Sequence, residues 1–399
     1  STIKNKLQTD FDLRYALLRN ANINKGGYIF DGVDDYVQVS PNVNLRSNQL
    51  SIEVYFSTSS RSDVQHICYL NGNGYNHGLR ILIDNEGRIL LQIGNGTNYI
   101  GAYYLNNYIY QFGYVIHLFV VIDNINYTIT YYVNGKRYNT RYYPQAIGWN
   151  TTEPNNIFIS AEYAGTSYGI KGQGILFRVY NKLLTDNEVI QLYNNGYLAE
   201  LPYELRNASQ TALTSGTLQY RKTYIIDNYV SGDDFTNVGA NSNASGVVFV
   251  ATGTTANWTN GSSLRQIGCV AEYRPENAGA MGWIETQNGL HGITSGNPIA
   301  IAGLRDYKSG ISTTTIQMVN SQKAYHNLKQ IIVKNNYAGT NTIYLGTTTA
   351  ANELVNGVSI NNGETKVINV DSYSNIERSL FVKAGYSNID VTFIYEKIN

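Results

Sequence analysis

The sequence predicts an all-β, multidomain protein. It has an antiparallel β-sandwich preceded by a short helix, then small β modules, the last of them a small β-sandwich. The chain has 35 Tyr and 37 Gly against six Pro, a composition that favours strands and turns. Its 399 residues suit two or three domains of roughly 100–200 residues. The expected units are an N-terminal helical arm (1–25), the sandwich (26–200), a linker (201–220), a small β module (221–305) and the C-terminal sandwich (306–399).

The first predicted element is a helix over residues 7–19. Leu7, Phe11, Tyr15 and Leu18 recur at spacings of four, four and three, which places them on one helical face. The helix either packs on the sandwich or acts as an arm that docks on a partner or on another copy.

The next stretch predicts two strands, over 28–30 and 36–39, joined by a tight turn at Asp31-Gly32. Asp31, Asp34 and Asp35 crowd this turn. Hard cations such as Ca²⁺ take carboxylate oxygens, so these three residues are candidate metal ligands. The alternative is a turn whose carboxylates bond to local amides. No other cofactor is expected.

The following strands are predicted from their alternation and their turns. The segment 50–56 alternates apolar and polar residues, and 114–122 is a long apolar strand expected at the centre of a sheet. The clearest hairpin runs over 127–138, because Asn134-Gly135 is the strongest two-residue turn signal. After a closing strand over 175–180, Thr185 and Glu188 form a capping box that starts a second helix.

Two motifs carry a specific resemblance. The stretch FDGVDDYV at 30–37, followed by FRVYNKLL at 177–184 and then Glu188, resembles the opening and closing motifs of laminin-G-like, concanavalin-type jelly rolls. The resemblance covers residues 26–197. It implies two packed antiparallel sheets, often a binding role, and sometimes a Ca²⁺ ion near the first turn. Because such domains bind glycans, proteins or nothing known, the fold does not fix the ligand.

Tyrosines are the other candidate ligand-binding residues. Tyr103, Tyr104 and Tyr108 lie in one crowded segment, and aromatic faces stack on sugars and on partner proteins. With so many tyrosines in the chain, packing within the sandwich is the alternative for each of them.

The region after residue 218 carries a second resemblance. Residues 219–268 contain DFTNVGA at 234–240 and GVVFVATGTTANW at 246–258, and they resemble a small module of tailed-phage fibre and virion proteins. The segment 275–292 resembles one that precedes sandwich domains in phage tail proteins, and His291 within it is expected to be structural. The short strands after residue 310 also resemble small β-sandwiches of phage virion proteins.

Several function classes are disfavoured. Lys plus Arg and Asp plus Glu both number 29, so no basic excess points to nucleic acid. The sequence contains no recognisable catalytic motif, and the adjacent Asp233 and Asp234 are interpreted as solvated loop residues, so we expect no enzyme activity. No apolar run reaches the roughly 18–20 residues that span a membrane, and the polar start indicates no signal peptide. Cys68 and Cys269 fall in different predicted domains, so no disulfide is expected.

The sequence therefore predicts a non-enzymatic bacteriophage virion structural protein, as a head fibre, decoration or tail-fibre subunit. It would be made in the host cytoplasm, located in the virion, and display a carbohydrate- or receptor-binding sandwich. Expected partners are other virion proteins of the capsid or tail, further copies of the chain with a trimer favoured, and a host surface glycan. The alternative is a stand-alone glycan-binding adhesin or lectin.

Overall fold

The structure is a computed structural model. It describes residues 26–39, 47–59, 62–70, 76–149, 157–161, 168–209, 211–278, 282–288, 290–295, 298–301, 305–311, 316–317, 326–346, 355–369, 381–386 and 389–397. The predicted helix over 7–19 and the N-terminal arm lie outside these residues.

In the described part of the chain, twelve strands build the sandwich. They are β1 (Gly27–Asp31), β2 (Tyr36–Val39), β3 (Gln49–Thr58), β4 (Gln65–Leu70), β5 (Leu79–Ile83), β6 (Ile89–Gly94), β7 (Tyr99–Tyr104), β8 (Ile116–Asp123), β9 (Thr128–Val133), β10 (Lys136–Tyr142), β11 (Ile157–Ile159) and β12 (Lys171–Tyr180). The predicted all-β fold is confirmed, and the strands predicted over 28–30, 36–39, 50–56, 114–122 and 175–180 overlap β1, β2, β3, β8 and β12.

The strands form two antiparallel layers. The front sheet has the order β10-β9-β8-β3-β12, with β1 on the far edge of β12. The back sheet has the order β2-β11-β4-β5-β6-β7. Alternate residues of each strand face the space between the layers, because successive side chains of a strand point to opposite faces. The buried core there includes Phe30, Phe56, Tyr131 and Phe177.

The predicted hairpin is present as β9 and β10. Asn134 and Gly135 both have positive φ, 51° and 75°, and Val133 pairs with Lys136. Two consecutive positive φ angles are what the tightest hairpin turn requires, and Asn and Gly tolerate them best. The turn therefore sets the pairing next to it, and the register then shifts between Arg137 and Asn139.

One helix, α1 (Asp186–Asn195), follows the sandwich strands. The predicted capping box is confirmed, since the Thr185 side chain accepts the Glu188 amide and Glu188 accepts the Thr185 amide. Val189 and Leu192 of the helix are buried on the outer face of the front sheet against Phe119. The helix thus covers apolar surface that the front sheet would otherwise expose to water.

The chain then leaves the sandwich for a small three-stranded sheet. After a 3₁₀ turn at Tyr203–Leu205 come β13 (Thr223–Asn228), a 3₁₀ turn at Thr236–Val238, β14 (Val248–Val250) and β15 (Ser263–Gln266), in the order β14-β13-β15. The sheet has its own buried cluster, in which the rings of Phe235 and Trp258 meet edge to face at 5.6 Å.

Four further strands return to the sandwich: β16 (Cys269–Ala278), β17 (Gly282–Glu285), β18 (Gly292–Ser295) and β19 (Ile299–Ile301). Strand β16 pairs with β12 of the front sheet and β18 pairs with β2 of the back sheet, with β17 between them. They join the two layers along one side of the sandwich. The buried Trp283 ring lies 5.3 Å from the ring of Tyr28.

This arrangement differs from the predicted boundaries, which assigned 269–301 to the small module. Strands β12 and β2 would otherwise expose unpaired backbone groups along that side, and the returning strands satisfy them. Partner strands far apart in sequence leave no local signal, so the pairing was not predictable from periodicity.

A row of ionisable residues crosses the outer face of the front sheet. It runs from His117 on β8 through Glu53 on β3 and Arg178 on β12 to Glu272 on β16, and all four are buried. An Arg178 Nη atom lies 3.1 Å from Glu53 Oε1, and another lies 2.6 Å from Glu272 Oε1. Arg178 also donates to the Ala199 carbonyl at 3.3 Å. The row therefore ties the returning strand β16 to the centre of the sandwich.

The last region contains two four-stranded sheets. Its strands are β20 (Arg305–Ile311), β21 (Ile316–Gln317), β22 (His326–Asn335), β23 (Asn341–Gly346), β24 (Val355–Ile360), β25 (Thr365–Asn369), β26 (Phe381–Ala384) and β27 (Ile389–Lys397). The orders are β20-β27-β22-β25 and β21-β26-β23-β24. Two sheets of short antiparallel strands agree with the all-β architecture predicted for this region.

Candidate functional site

The first candidate site is the turn between β1 and β2. The carboxylate oxygens of Asp31, Asp34 and Asp35 lie within 4.8 Å of one another. Two of these carboxylates accept backbone amides: Asp35 Oδ2 accepts from the Asp31 amide at 2.9 Å, and Asp31 Oδ1 accepts from the Val33 amide at 2.7 Å. The geometry thus brings the three predicted residues together. It also gives two of them the amide-binding role that the sequence offered as the alternative to Ca²⁺, so the turn is explained without a metal.

The second candidate site separates the three predicted tyrosines. Tyr103 and Tyr104 are neighbours on β7, so their side chains point to opposite faces. The Tyr103 ring packs against the core, 6.0 Å from the ring of Tyr143. The backbone carbonyl of Tyr103 accepts a hydrogen bond from the Tyr131 hydroxyl at 2.5 Å. Tyr104 and Tyr108 instead line a surface cavity. The structure therefore places Tyr103 in the packing role and Tyr104 beside the cavity, while Tyr108 both packs against the core and lines the cavity.

This cavity, called the Tyr104 pocket below, has a volume of about 410 Å³. It is lined by Arg88, Tyr104, Leu105, Asn106, Asn107, Tyr108, Ile109 and Arg141. It lies on the side of the sandwich opposite the returning strands, where β7 ends the back sheet and β10 ends the front sheet. Its volume falls in the roughly 300–1,000 Å³ range of small-molecule sites.

Hydrogen bonds between the Asn139 side chain on one sheet edge and backbone groups on the other hold the pocket in shape. The Asn106 amide donates to Asn139 Oδ1 at 3.2 Å, and Asn139 Nδ2 donates to the Tyr104 carbonyl at 3.4 Å. Asn107 has a φ of 61°, a left-handed conformation that Asn adopts more readily than most residues. The position of the loop after β7 therefore depends on hydrogen bonds to β10 as well as on the backbone conformation of the loop itself.

The walls of the pocket combine aromatic and polar groups. The Arg88 guanidinium lies over the Tyr104 ring at 5.2 Å, and Arg88 pairs with Asp84 at 2.6 Å. The Tyr108 ring meets Tyr138 edge to face at 5.2 Å. Burial, with a smaller effect of Tyr138, raises the pKa of Tyr108 to about 12, so its hydroxyl stays protonated. Such a surface offers ring faces for stacking together with hydrogen-bond donors and acceptors.

Sequence reasoning missed the two arginines of the pocket. Arg88 comes from the hairpin between β5 and β6, and Arg141 comes from β10. Neither belongs to the Tyr-rich segment. No local pattern in the sequence connects either arginine with that segment, so no sequence signal could have identified them.

Other side chains that could suggest catalysis have structural partners. Asp233 is buried, so the prediction that it is solvated was wrong, and it accepts the backbone amides of Thr259, Asn260 and Ser262 at 2.7–3.0 Å. His291 Nδ1 accepts the Glu285 amide at 3.1 Å, which agrees with the structural role expected for this histidine. These contacts account for the local positions of both residues. Cys68 and Cys269 are buried free thiols.

The two packed antiparallel layers are consistent with a jelly-roll-like sandwich. Residues 31–190, a stretch shorter than half of the chain, match the Laminin_G_3 family, described as the concanavalin A-like lectin/glucanases superfamily. This match confirms the laminin-G-like part of the predicted resemblance. No curated protein matches the chain. The phage-fibre resemblance of 219–268 stays a prediction.

Solved structures share similarity with part of the chain. The CBM40 of the Ruminococcus gnavus IT-sialidase bound to alpha2,6 sialyllactose is 16% identical, covers 42% of this chain and 95% of its own, with a TM-score of 0.33. Domain 4 of a GH43 extracellular arabinanase from Geobacillus stearothermophilus, in complex with arabinotriose, is 15% identical over 41% and 74%, with a TM-score of 0.33. A heptameric SAP-like pentraxin from Limulus polyphemus is 14% identical over 40% and 82%, with a TM-score of 0.28.

Among the residues that the structure describes, no helix is both long and apolar enough to cross a membrane.

Proposed function

We propose that this chain is a non-enzymatic glycan-binding protein and that the Tyr104 pocket is its binding site. The observation that supports this most is the lining of the pocket. Two tyrosine rings, two asparagine side chains and two guanidinium groups surround a single open cavity. Sugar rings present apolar faces that pack on aromatic rings, and hydroxyl groups that pair with amides and guanidinium groups. The lectin-containing family matched by 31–190 agrees with this role.

The test is a glycan array probed with the full chain, followed by titration calorimetry on the best ligand. The variant Tyr104→Ala should weaken binding about tenfold or more, because buried aromatic anchors dominate interface energies. Tyr104→Phe keeps the ring face and should retain most of the affinity.

The matched control is Tyr99→Ala. Tyr99 lies on the same strand and is 44% exposed, but it does not line the pocket. Its removal should leave the affinity unchanged. An array without any bound glycan, or equal losses for Tyr99→Ala and Tyr104→Ala, would contradict the proposal.

We further propose that the sandwich is displayed on a tailed-phage particle as a fibre or decoration subunit, where it binds a host surface glycan. The support is the resemblance of residues 219–268 to modules of phage virion proteins. Assembly in several copies, with a trimer favoured, follows from this role. Light scattering on the purified chain tests it, since a strict monomer at all concentrations would favour the alternative of a stand-alone adhesin or lectin.

A further inference from the structure

The Tyr104 pocket contains two guanidinium groups with different surroundings. Arg88 is paired, since Asp84 lies at 2.6 Å and Glu86 at 3.1 Å. Arg141 is half-buried in the wall of the same pocket. Within the described ranges, no carboxylate lies within 4.0 Å of Arg141 and no acceptor is hydrogen-bonded to its side chain. The pocket thus holds one cation whose charge the surrounding described side chains do not balance.

The two phenol groups that interact with this charge are neutral at ordinary pH. Arg141 interacts electrostatically with Tyr103 and Tyr131, and it acts to lower the pKa of both phenols. Burial is the larger influence and raises the pKa of both groups, so they remain protonated. They therefore cannot neutralise the guanidinium. An unpaired cation at the wall of a partly enclosed cavity attracts an anionic group more strongly than an exposed cation does.

A guanidinium is also matched to particular anions. Its planar fork of N–H groups pairs with two oxygens of a carboxylate or of a sulfate at once. Next to it, Tyr104 and Tyr108 offer ring faces, and Asn106 and Asn107 are exposed on the same loop. The arrangement could therefore hold a sugar ring while the cation binds a charged substituent on that ring.

We propose that the Tyr104 pocket selects acidic glycans and that Arg141 binds their carboxylate or sulfate group. This inference rests on the proposed glycan-binding function and specifies its ligand class. Arg88 is already paired and serves mainly to support the Tyr104 ring. Selectivity for acidic sugars therefore depends on Arg141.

The experiment measures binding of the full chain to ligand pairs that differ only in charge. One pair is a galacturonic acid oligosaccharide and its methyl ester, and the other is a sulfated galactan fragment and its unsulfated form. At least one charged member should bind about tenfold or more tightly than its neutral partner. The binding should weaken as salt is added. Preference within the first pair identifies a carboxylate ligand, and preference within the second identifies a sulfate ligand.

Two variants locate the effect. Arg141→Gln should abolish the preference for the charged member and leave the melting temperature close to that of the wild type, because among the described residues the side chain has no ion pair or hydrogen bond to lose. Arg141→Lys keeps the charge without the fork and should retain part of the preference. Arg137→Gln is the matched control. It removes the same charge from the same strand, but Arg137 is 53% exposed and pairs with Asp186 outside the pocket.

The outcomes separate the two proposals. Equal binding of charged and neutral members, or an equal effect of Arg137→Gln and Arg141→Gln, would overturn the role of Arg141 while glycan binding stands. Absence of binding to these pairs and to every glycan of the array would overturn the glycan-binding function and this inference together.

Discussion

Replacement of Glu53 by Gln tests how the buried charge row supports the sandwich. The Glu53 side chain is fully buried on β3. Its Oε1 atom lies 2.8 Å from His117 Nε2 and 3.1 Å from an Arg178 Nη atom, and its Oε2 atom accepts the Tyr180 hydroxyl at 2.5 Å. The variant keeps the shape of the side chain but removes its negative charge. Arg178 would then retain only Glu272 as a close anion among the described residues.

The pKa of Glu53 gives the size of the expected effect. Burial raises this pKa, but the Arg178 charge and the contacts with His117 and Tyr180 outweigh burial and lower it from 4.5 to about 2. The pKa thus falls by about 2.5 between the ordinary value and the folded state, and at roughly 1.4 kcal/mol per pKa unit this fall corresponds to about 3 kcal/mol of folding stability. The pKa is lower in the folded state. The contribution is therefore present above about pH 4.5 and is lost as the pH falls towards about 2.

The assay is urea denaturation of the wild type and of Glu53→Gln at about pH 7 and about pH 3, with unfolding monitored by tryptophan fluorescence. At the higher pH the variant should be less stable by about 3 kcal/mol, the size expected when one partner of a buried ion pair is removed. At the lower pH the difference should shrink.

Glu86→Gln is the control. Glu86 is 63% exposed in its pair with Arg88, so this variant should lose less than about 1 kcal/mol of folding stability. A Glu53→Gln loss as small as that of the control, or one that is equal at both pH values, would refute the reasoning.

Two further predictions concern the turns. Chelation should leave the melting temperature unchanged, because Asp31 and Asp35 already accept backbone amides; a lower melting temperature that added Ca²⁺ restores would instead show a metal at this turn. Asp233→Asn should speed hydrogen exchange across strands 223–266 at neutral pH. Burial raises the Asp233 pKa, but hydrogen bonds from Ser262, Asn260 and Thr259 hold it well below its usual range, so the carboxylate is the form that these amides stabilise. Unchanged exchange in Asp233→Asn would contradict this role for the carboxylate.

Local patterns in the sequence were sufficient for many elements of the fold. The alternation over 50–56 predicted β3, and Asn134-Gly135 predicted the turn between β9 and β10. Thr185 and Glu188 predicted the start of the helix. Each of these signals depends on backbone preferences and on neighbours within a few residues, so each can be detected without knowledge of the tertiary structure.

The candidate site was only partly predictable. The sequence singled out Tyr103, Tyr104 and Tyr108 because the segment is rich in tyrosine. It could not tell which ring faces the core, since that depends on the pairing of β7 with β6 and on the contact with Tyr143. It gave no reason to connect Arg88 or Arg141 with them. Arg88 reaches the pocket because β6, which it directly precedes, pairs with β7, and Arg141 reaches it because β7 and β10 end the two sheets on the same side.

The sequence by itself determined the strands, the tight turns and the capped helix, because these follow from periodicity and from local backbone chemistry. Only the tertiary structure decided that β16 to β19 return to close one side of the sandwich, and that Arg141 lies beside Tyr104 on the other side. Pairing between distant strands is selected by burial and by backbone hydrogen bonds across the whole sheet. No short stretch of sequence encodes it, and the proposed binding site lies where the edge strands β7 and β10 of the two packed layers come together.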